Sequence, residues 1–422
     1  MSAGTVIIGA GQSGAQLAMS LRELGYADGI VLVGDEAGLP YQRPPLSKEY
    51  MSGHLDAADL PIRAAEYYRE HGIELIAGDP AASVSREDSS VTLASGRTLP
   101  YARLVFATGA RNRRLTFDGG EPANVHYLRT RGDAERLRGA LSAAQNILVV
   151  GAGFIGLEFA SVASLAGAHV TVVEMAPRVL GRAVSEEISA YFSARHTEWG
   201  SEVLVGTAVE EWVRAEDGRV TGARIGGEVR AVDLVLVGIG VVPNVELAEA
   251  AGLEIGNGIV VDSSLATSDP AIFAIGDCSN HPRPETTALV RVESVQNAAD
   301  QARFLARRLT GEGGEYADVP WFWSHQTGDK LQIAGLSQPT DATFVLGDTT
   351  QGRFSVCRIR DGRLIAVESV NSPGDHLASR RLLAHGVHVS EEQLREPEFS
   401  LRGALKTAGT LTTSSAHERT PA

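Results

Sequence analysis

Twice in this chain a run of aliphatic residues passes straight into a glycine triplet and then into an apolar stretch with helical spacing. The first copy is Thr5-Val-Ile-Ile-Gly9-Ala-Gly11-Gln-Ser13-Gly14, followed by Ala15, Leu17, Ala18, Leu21 and Leu24. The second is Ile147-Leu-Val-Val-Gly151-Ala-Gly153-Phe-Ile155-Gly156-Leu-Glu158. Each reads as a buried parallel strand, a tight turn and a helix. The first glycine permits the turn, the second lets a pyrophosphate approach the backbone, and the third lets helix and strand pack closely. The helix N-terminus then offers free N–H groups and the positive end of its dipole to phosphate.

In a chain with 46 glycines one such fingerprint carries little weight, but here the surroundings repeat as well. After the first helix, residues 29–34 read as a second parallel strand ending at Asp35, 21 residues beyond Gly14, where a ribose-binding carboxylate belongs. Ile73–Ile76 suggests a further strand, residues 82–101 a β-meander with turns at Glu87-Asp88 and Ser95-Gly96, and Leu104–Gly109 a buried strand ending in glycine. The order returns with Val170–Glu174, a meander over Val209–Val232, and Leu234–Gly240. Two βαβ–meander–strand modules in one chain form an internal repeat. Glu174 lies 18 residues beyond Gly156, and a carboxylate there accepts from the ribose hydroxyls of NADH and repels a 2′-phosphate. Glu158 is either a group on the nicotinamide side or a solvated helix acid. Lys48 sits in Leu39-Pro-Tyr-Gln-Arg-Pro-Pro-Leu-Ser-Lys48, a stiff loop that is either the wall of a cofactor site or a plain connection.

Composition narrows the class. At 422 residues the chain has room for two or three domains, and 21% charged residues is ordinary for a globular protein. A net charge of −14 disfavours nucleic acid and anionic membranes as partners. No apolar run reaches the roughly 18 residues of a membrane span, and no secretory leader is evident, so a cytoplasmic enzyme is expected. Cys278 and Cys357 lie far apart, which argues against a disulfide framework and a zinc site.

Further along, Gly258–Asp262, Thr267-Ser-Asp-Pro270 and Ile272-Phe-Ala-Ile-Gly-Asp277 read as a strand, a turn and a buried strand ending in Gly-Asp, and Ser294–Leu309 as a helix. With Pro44-Pro-Leu-Ser-Lys48, Ala107-Thr108-Gly109, Tyr127-Leu-Arg129-Thr, Arg291-Val-Glu-Ser-Val295 and Pro320-Trp-Phe-Trp-Ser324, these segments complete a pattern. From about residue 4 to 406 the chain resembles the FAD-dependent pyridine-nucleotide oxidoreductases. Within them it is similar to the ferredoxin reductases of bacterial haem monooxygenases and ring-hydroxylating dioxygenases, the putidaredoxin-reductase-like group. Rubredoxin reductases and apoptosis-inducing factor are relatives.

The resemblance implies an α/β fold of two Rossmann-like nucleotide-binding domains plus a C-terminal α+β domain. The FAD-binding domain would comprise 1–110 and 248–319, with the NAD-binding domain inserted at 111–247, the C-terminal domain at 320–406 and a disordered tail at 407–422. It places FAD against Gly9, Gly11, Ser13, Gly14, Asp35, Lys48, Ala81, Thr108, Gly109, Arg129, Asp277 and Val295. It places NADH against Gly151, Gly153, Ile155, Gly156, Glu158, Glu174 and Gly240. NADH would pass a hydride to the flavin with no acid–base residue strictly required, and single electrons would go on to a two-iron ferredoxin. Disulfide-reducing relatives carry a cysteine pair beside the flavin, but residues 39–53 contain no cysteine, so electrons must leave outward. Trp321 and Trp323 are either core residues or, as the resemblance implies for Trp323, the outer edge of the flavin where an acceptor docks. His325 stands where the family usually has Asp. Arg63, Arg303 and Arg307 are the candidate docking cations, on a monomer or weak homodimer. The competing readings are an NADH oxidase or quinone-type reductase without a protein acceptor, and a non-catalytic NADH-sensing flavoprotein.

In the C-terminal third the alternation predicts strands at Lys330–Ala334, Thr343–Leu346, Arg353–Arg360 and Arg363–Val370, with helices at Gly374–His385 and Ser390–Glu396.

Overall fold

Strands with no polar face can exist only where both sides are covered, and the two repeats deliver such strands. The computed structural model describes residues 4–283 and 288–408; the expected disordered tail lies outside them from residue 409, while 407 and 408 close a helix over 401–408. The chain divides into two compact units, Met1–Arg113 with Val241–Asp318, and Arg114–Gly240 with Val319–Ala422.

In the first unit, Gly4–Ile8 is flanked by Ile30–Gly34 and Thr98–Phe106, all parallel, with Ile73–Ala77 beyond Ile30–Gly34 and Ile272–Ala274 beyond Thr98–Phe106. The centre is dry: Ile7, Leu32, Leu104 and Val105 are all fully buried. The meander and the following strand, expected as separate elements, share one nine-residue strand. Its first residues pair antiparallel with Ser90–Leu93 and its last ones parallel with Gly4–Ile8. Burial explains the fusion, since exposed and buried residues alternate from Thr98 to Ala102 and Leu-Val-Phe106 is wholly buried. Gln12–Glu23 packs on Val295–Leu309, whose inward side is Ala298, Ala302, Leu305 and Ala306.

The second unit repeats the parallel sheet in the order Ser201–Val205, His169–Glu174, Asn146–Val150, Leu234–Val237, Val125–His126. Its meander forms a separate antiparallel sheet of Glu211–Arg214, Val220–Ile225 and Glu228–Ala231. The helix Glu186–Glu198, which the sequence pattern did not announce, is capped by Ser185, whose Oγ accepts from Ile188 N.

A five-stranded antiparallel sheet closes this unit in the order Trp321–Gln326, Asp329–Gly335, Arg363–Val370, Arg353–Arg360, Ala342–Asp348. Four of these strands were expected. The fifth, Trp321–Gln326, was hidden because its aromatic and polar residues do not fit an apolar/polar alternation. Helices Pro373–Ala384 and Glu391–Leu394 follow. None of the described helices is long and apolar enough to cross a membrane.

One ion pair lies deep in this sheet. Arg358 Nη1 is 3.2 Å from Glu368 Oε1, with side-chain exposures of 4% and 0%. Glu368 Oε2 accepts from Ser185 N at 2.9 Å, and Arg358 Nη2 donates to Gln338 O at 2.7 Å. Deleting one member strands a buried charge, so Arg358→Met should destabilise the fold by about 3–5 kcal/mol in urea titrations. Adding Glu368→Leu should recover most of that loss, falling short by the acceptor that Ser185 N–H then lacks.

Candidate functional site

The two glycine triplets build nearly the same cradle. In the first unit Gly9 has φ +114°, and a Cβ there would lie 2.1 Å from Ala107 O. A Cβ on Gly14 would lie 1.9 Å from Gly9 O, whereas one on Gly11 would meet nothing within 4 Å. Two glycines therefore serve the protein's own packing, and the third keeps a surface clear at a helix start. Ser13 is buried against Gly276, where a Cβ would come within 2.7 Å of Ser13 Oγ. In the second unit the corresponding distances are 2.5 Å from Gly151 to Gly238 O and 2.1 Å from Gly156 to Gly151 O, while Gly153 meets only Gly238 O at 3.9 Å. The exposed Ile155 stands at the start of that helix.

At the end of Ile30–Gly34, Glu36 is engaged by Tyr41 Oη at 2.6 Å and Arg43 Nη2 at 2.7 Å. Asp35 is exposed and accepts from Glu36 N at 3.0 Å, which leaves it as the strand-end carboxylate facing outward. Lys48, after the Pro44–Ser47 turn, donates to Pro44 O at 3.2 Å. Ala81 is half-buried at the start of the meander. Thr108 and Gly109 are clasped by Asn244, a residue the motifs did not flag: Thr108 Oγ1 donates to its carbonyl at 2.6 Å, and its side-chain amide returns a bond to Thr108 O at 2.9 Å.

Asp277 lies in the turn Gly276–Cys278, and Val295 is the first residue of a helix whose cap, Ser294, accepts from Asn297 N at 3.0 Å. Both elements rest on a buried polar cluster. Gln301 Oε1 accepts from Gly276 N at 2.6 Å, and Gln301 Nε2 donates to His281 Nδ1 at 3.2 Å. Gln301 and His281 have no motif signature, so sequence reasoning missed them.

In the second unit the Glu174 carboxylate is fixed by two backbone amides, Ala152 N and Ala176 N, each at 2.8 Å. Arg178, the cation nearest to it in sequence, is turned to the carbonyls of Val184 at 2.8 Å and Ser185 at 3.3 Å. Gly240, with φ +100°, lies beside the Arg182 guanidinium. Arg129 belongs to this unit, and its backbone N donates to Asp133 Oδ2 at 3.2 Å. Glu158 is not a solvated helix acid: it is 2% exposed and accepts from Ser324 Oγ at 2.6 Å. Trp323 is half-buried, with its ring centroid 5.7 Å from that of Trp321, and Arg380 lies 4.2 Å above the Trp321 ring.

Cys278 and Cys357 are buried, unbridged and in different units. Burial raises the Cys278 thiol above its usual range and pushes that of Cys357 to about 12. Neither is a thiolate for exchange chemistry.

Two dinucleotide cradles of this kind, without a reactive thiol pair, define a flavin- and pyridine-nucleotide-dependent oxidoreductase. Residues 4–302 match the family model of the pyridine nucleotide-disulphide oxidoreductases, and residues 321–405 match that of the reductase C-terminal domain. Rhodocoxin reductase of Rhodococcus erythropolis is 47% identical over 95% of this chain and 94% of its own length. The crystal structure of the ferredoxin reductase for the CYP199A2 system from Rhodopseudomonas palustris matches with a TM-score of 0.92 and 45% identity, over 95% of this chain and 99% of that one. The covalent putidaredoxin reductase–putidaredoxin complex matches with a TM-score of 0.93 and 38% identity, over 97% of this chain and 99% of that one. The chain belongs to the pyridine nucleotide-disulphide oxidoreductase family and, within it, to the ferredoxin reductases. Its cofactors are FAD and a nicotinamide dinucleotide.

The glycines separate packing from binding. Gly11→Ala should leave the stability of the FAD-stripped protein within about 0.5 kcal/mol while weakening FAD retention, whereas Gly14→Ala should cost about 1–3 kcal/mol even without FAD. Flavin absorbance per protein and urea midpoints of the stripped protein measure the two effects.

His281 supplies a pH test. Burial, reinforced by the nearby Arg283, lowers its pKa from 6.5 to about 4. The unfolded chain takes up this proton as pH falls below 6.5 and the folded chain only near 4, so the contribution is whole above that window and lost across it. Urea midpoints at about pH 7.5 and about pH 4.5 should differ less in His281→Gln than in the parent.

Proposed function

We propose that this protein oxidises NADH and delivers the electrons singly to a two-iron ferredoxin serving a cytochrome monooxygenase or a ring-hydroxylating dioxygenase. The observation that carries the reading is the pairing of two dinucleotide cradles with two thiols that are buried and unbridged. Reducing equivalents then have no internal disulfide to enter and must leave the protein. The relatives named rhodocoxin reductase and putidaredoxin reductase support the choice of acceptor.

FAD, when bound, accepts a hydride from reduced nicotinamide and releases electrons one at a time. This chain's residues bind and orient. The FAD-binding portion is 1–110 with 248–319, the NAD-binding portion 111–247, and the C-terminal domain 320–406. In the FAD portion, Gly9, Gly11, Ser13 and Gly14 receive the pyrophosphate and Asp35 the adenosine ribose. Ala81 meets the adenine through its backbone. Lys48, Thr108, Gly109 and Asp277 border the rest of the cofactor, with Arg129 on the pyrophosphate. The helix start at Val295 aims its amides and dipole at the pyrimidine edge, where negative charge develops on reduction.

Gly151, Gly153, Ile155, Gly156 and Gly240 receive NADH, with Glu158 on the nicotinamide side. Glu174, held by two amides, accepts from the ribose hydroxyls. Because the Arg178 guanidinium is turned to two backbone carbonyls, a 2′-phosphate finds a carboxylate there and not a cation. NADH should exceed NADPH in kcat/KM by about tenfold or more, and equal values would remove this role of Glu174.

The acceptor docks beside Trp323, with His325 near it. Arg63, Arg303 and Arg307 supply positive charge against an acidic ferredoxin. Two of these are already paired, Arg303 with Asp300 at 2.9 Å and Arg307 with Glu312 at 3.6 Å, and Arg63 lies over Tyr67 at 5.5 Å. Exposed pairs of this kind are weak and exchangeable. The protein works as a monomer or weak homodimer in the cytoplasm, where free thiols persist.

Reversing charge at Arg303 and Arg307 should raise the KM for ferredoxin at low salt, with the difference shrinking as salt is added. NADH-driven reduction of candidate two-iron ferredoxins tests the whole reading. Fast turnover with oxygen alone would favour an oxidase instead, and a reduced, unreactive complex would favour a sensor.

A further inference from the structure

The carboxylate of Glu158 is the end of a buried chain of hydrogen bonds. Ser324 Oγ donates to Glu158 Oε1 at 2.6 Å, Gln326 Nε2 donates to Ser324 Oγ at 3.1 Å, and Gln326 Oε1 meets His196 Nε2 at 2.8 Å. Ser324, Gln326 and His196 all have 0% exposure. An amide oxygen only accepts, so His196 must carry its proton on Nε2. Burial lowers the pKa of this imidazole, which keeps it neutral. Every donor in the series therefore points the same way, towards the carboxylate, and bonds arranged head to tail polarise one another.

Packing alone gives no reason for this row. Phe322, two residues before Ser324 on the same face of the strand, lies against Phe154 with ring centroids 4.4 Å apart, and apolar residues would have continued that contact. Four buried polar side chains cost desolvation that their mutual bonds offset only in part, since His196 Nδ1 is buried without a hydrogen-bond partner among the described residues, and none of the three donors belongs to a glycine cradle.

We propose that Ser324, held in place by Gln326 and His196, is a positioning residue that fixes the orientation of the Glu158 carboxylate for hydride delivery from NADH. The proposal rests on the reading of Glu158 as a group on the nicotinamide side. The hydroxyl selects which carboxylate oxygen is engaged and holds the side chain in one rotamer. Gln326 holds the hydroxyl, and His196 holds Gln326.

The test uses FAD-loaded protein and the variants Ser324→Ala, Ser324→Thr, Gln326→Leu and Glu158→Gln. Three quantities are read: the rate of flavin bleaching at saturating NADH, the long-wavelength absorbance of dithionite-reduced protein titrated with NAD+, and flavin content with thermal midpoint. Ser324→Ala should slow bleaching about tenfold, the worth of one hydrogen bond to a charged group, and weaken the long-wavelength band. Its flavin content and thermal midpoint should stay close to the parental values. Gln326→Leu should move the same way by less, and Ser324→Thr should retain both signals.

Parental bleaching and absorbance in Ser324→Ala would overturn the proposal. So would a lower thermal midpoint and flavin content with unaltered bleaching of the loaded fraction, which is what a merely structural role produces. Slow Glu158→Gln with normal Ser324→Ala would remove the positioning claim alone. Normal bleaching in Glu158→Gln would remove the reading of Glu158 and the proposal together.

Discussion

The contact on which both halves of the structure depend is one that no side chain tolerates, the approach of a helix start to the strand beside it. At Gly9, Gly14, Gly151 and Gly156 even a methyl group would fall within 2.5 Å of a carbonyl oxygen. That closeness lets each helix begin at the end of its strand, so that its first amides stand in the open. At Gly11 and Gly153 the same absence of a side chain leaves open space instead, with nothing closer than 3.9 Å to an added Cβ. One residue type thus does two opposite jobs within six positions.

Around this constraint the remaining site groups are held by neighbours, and the manner of holding differs. Glu174 is fixed by backbone amides, a geometry that any sequence could provide. Asn244, Gln301 and Ser324 act through side chains, each reaching a segment far away in sequence. The buried cysteines fit the same picture from the negative side, since apolar burial makes both thiols inert.

The motif-bearing half of this was legible in the sequence, because a glycine between an aliphatic strand and a helix has a local cause. Aliphatic runs between turn signals gave most of the parallel strands and the meanders, and spacing placed the strand-end acids Asp35 and Glu174, but the parallel strands Ser201–Val205 and Val125–His126 carried no such signal. What escaped was non-local. Nothing around Asn244 or Gln301 shows that a glycine turn lies opposite, and the local pattern at Glu158 also admits a solvated helix acid, which only burial against the sequence-distant Ser324 removes. Trp321–Gln326 was not recognised as a strand, because aromatic residues on one side and polar residues on the other leave no apolar alternation. Thr98–Phe106 was read as two pieces, since a strand that belongs to two sheets changes its pattern halfway along.

That six-residue strand also divides the freedom to vary. Side chains alternate across it, so Ser324 and Gln326 lie with Phe322 on the row that meets Phe154 and Glu158, while Trp321, Trp323 and His325 stand on the other. The inner row is tied to three other side chains and tolerates little drift. The outer row is held by ring contacts instead, with the Trp321 centroid 5.4 Å from that of the His376 ring and Arg380 4.2 Å from the Trp321 ring. Substitutions that spare the hydrogen-bonded row behind Glu158 would therefore fall at every second position of this strand.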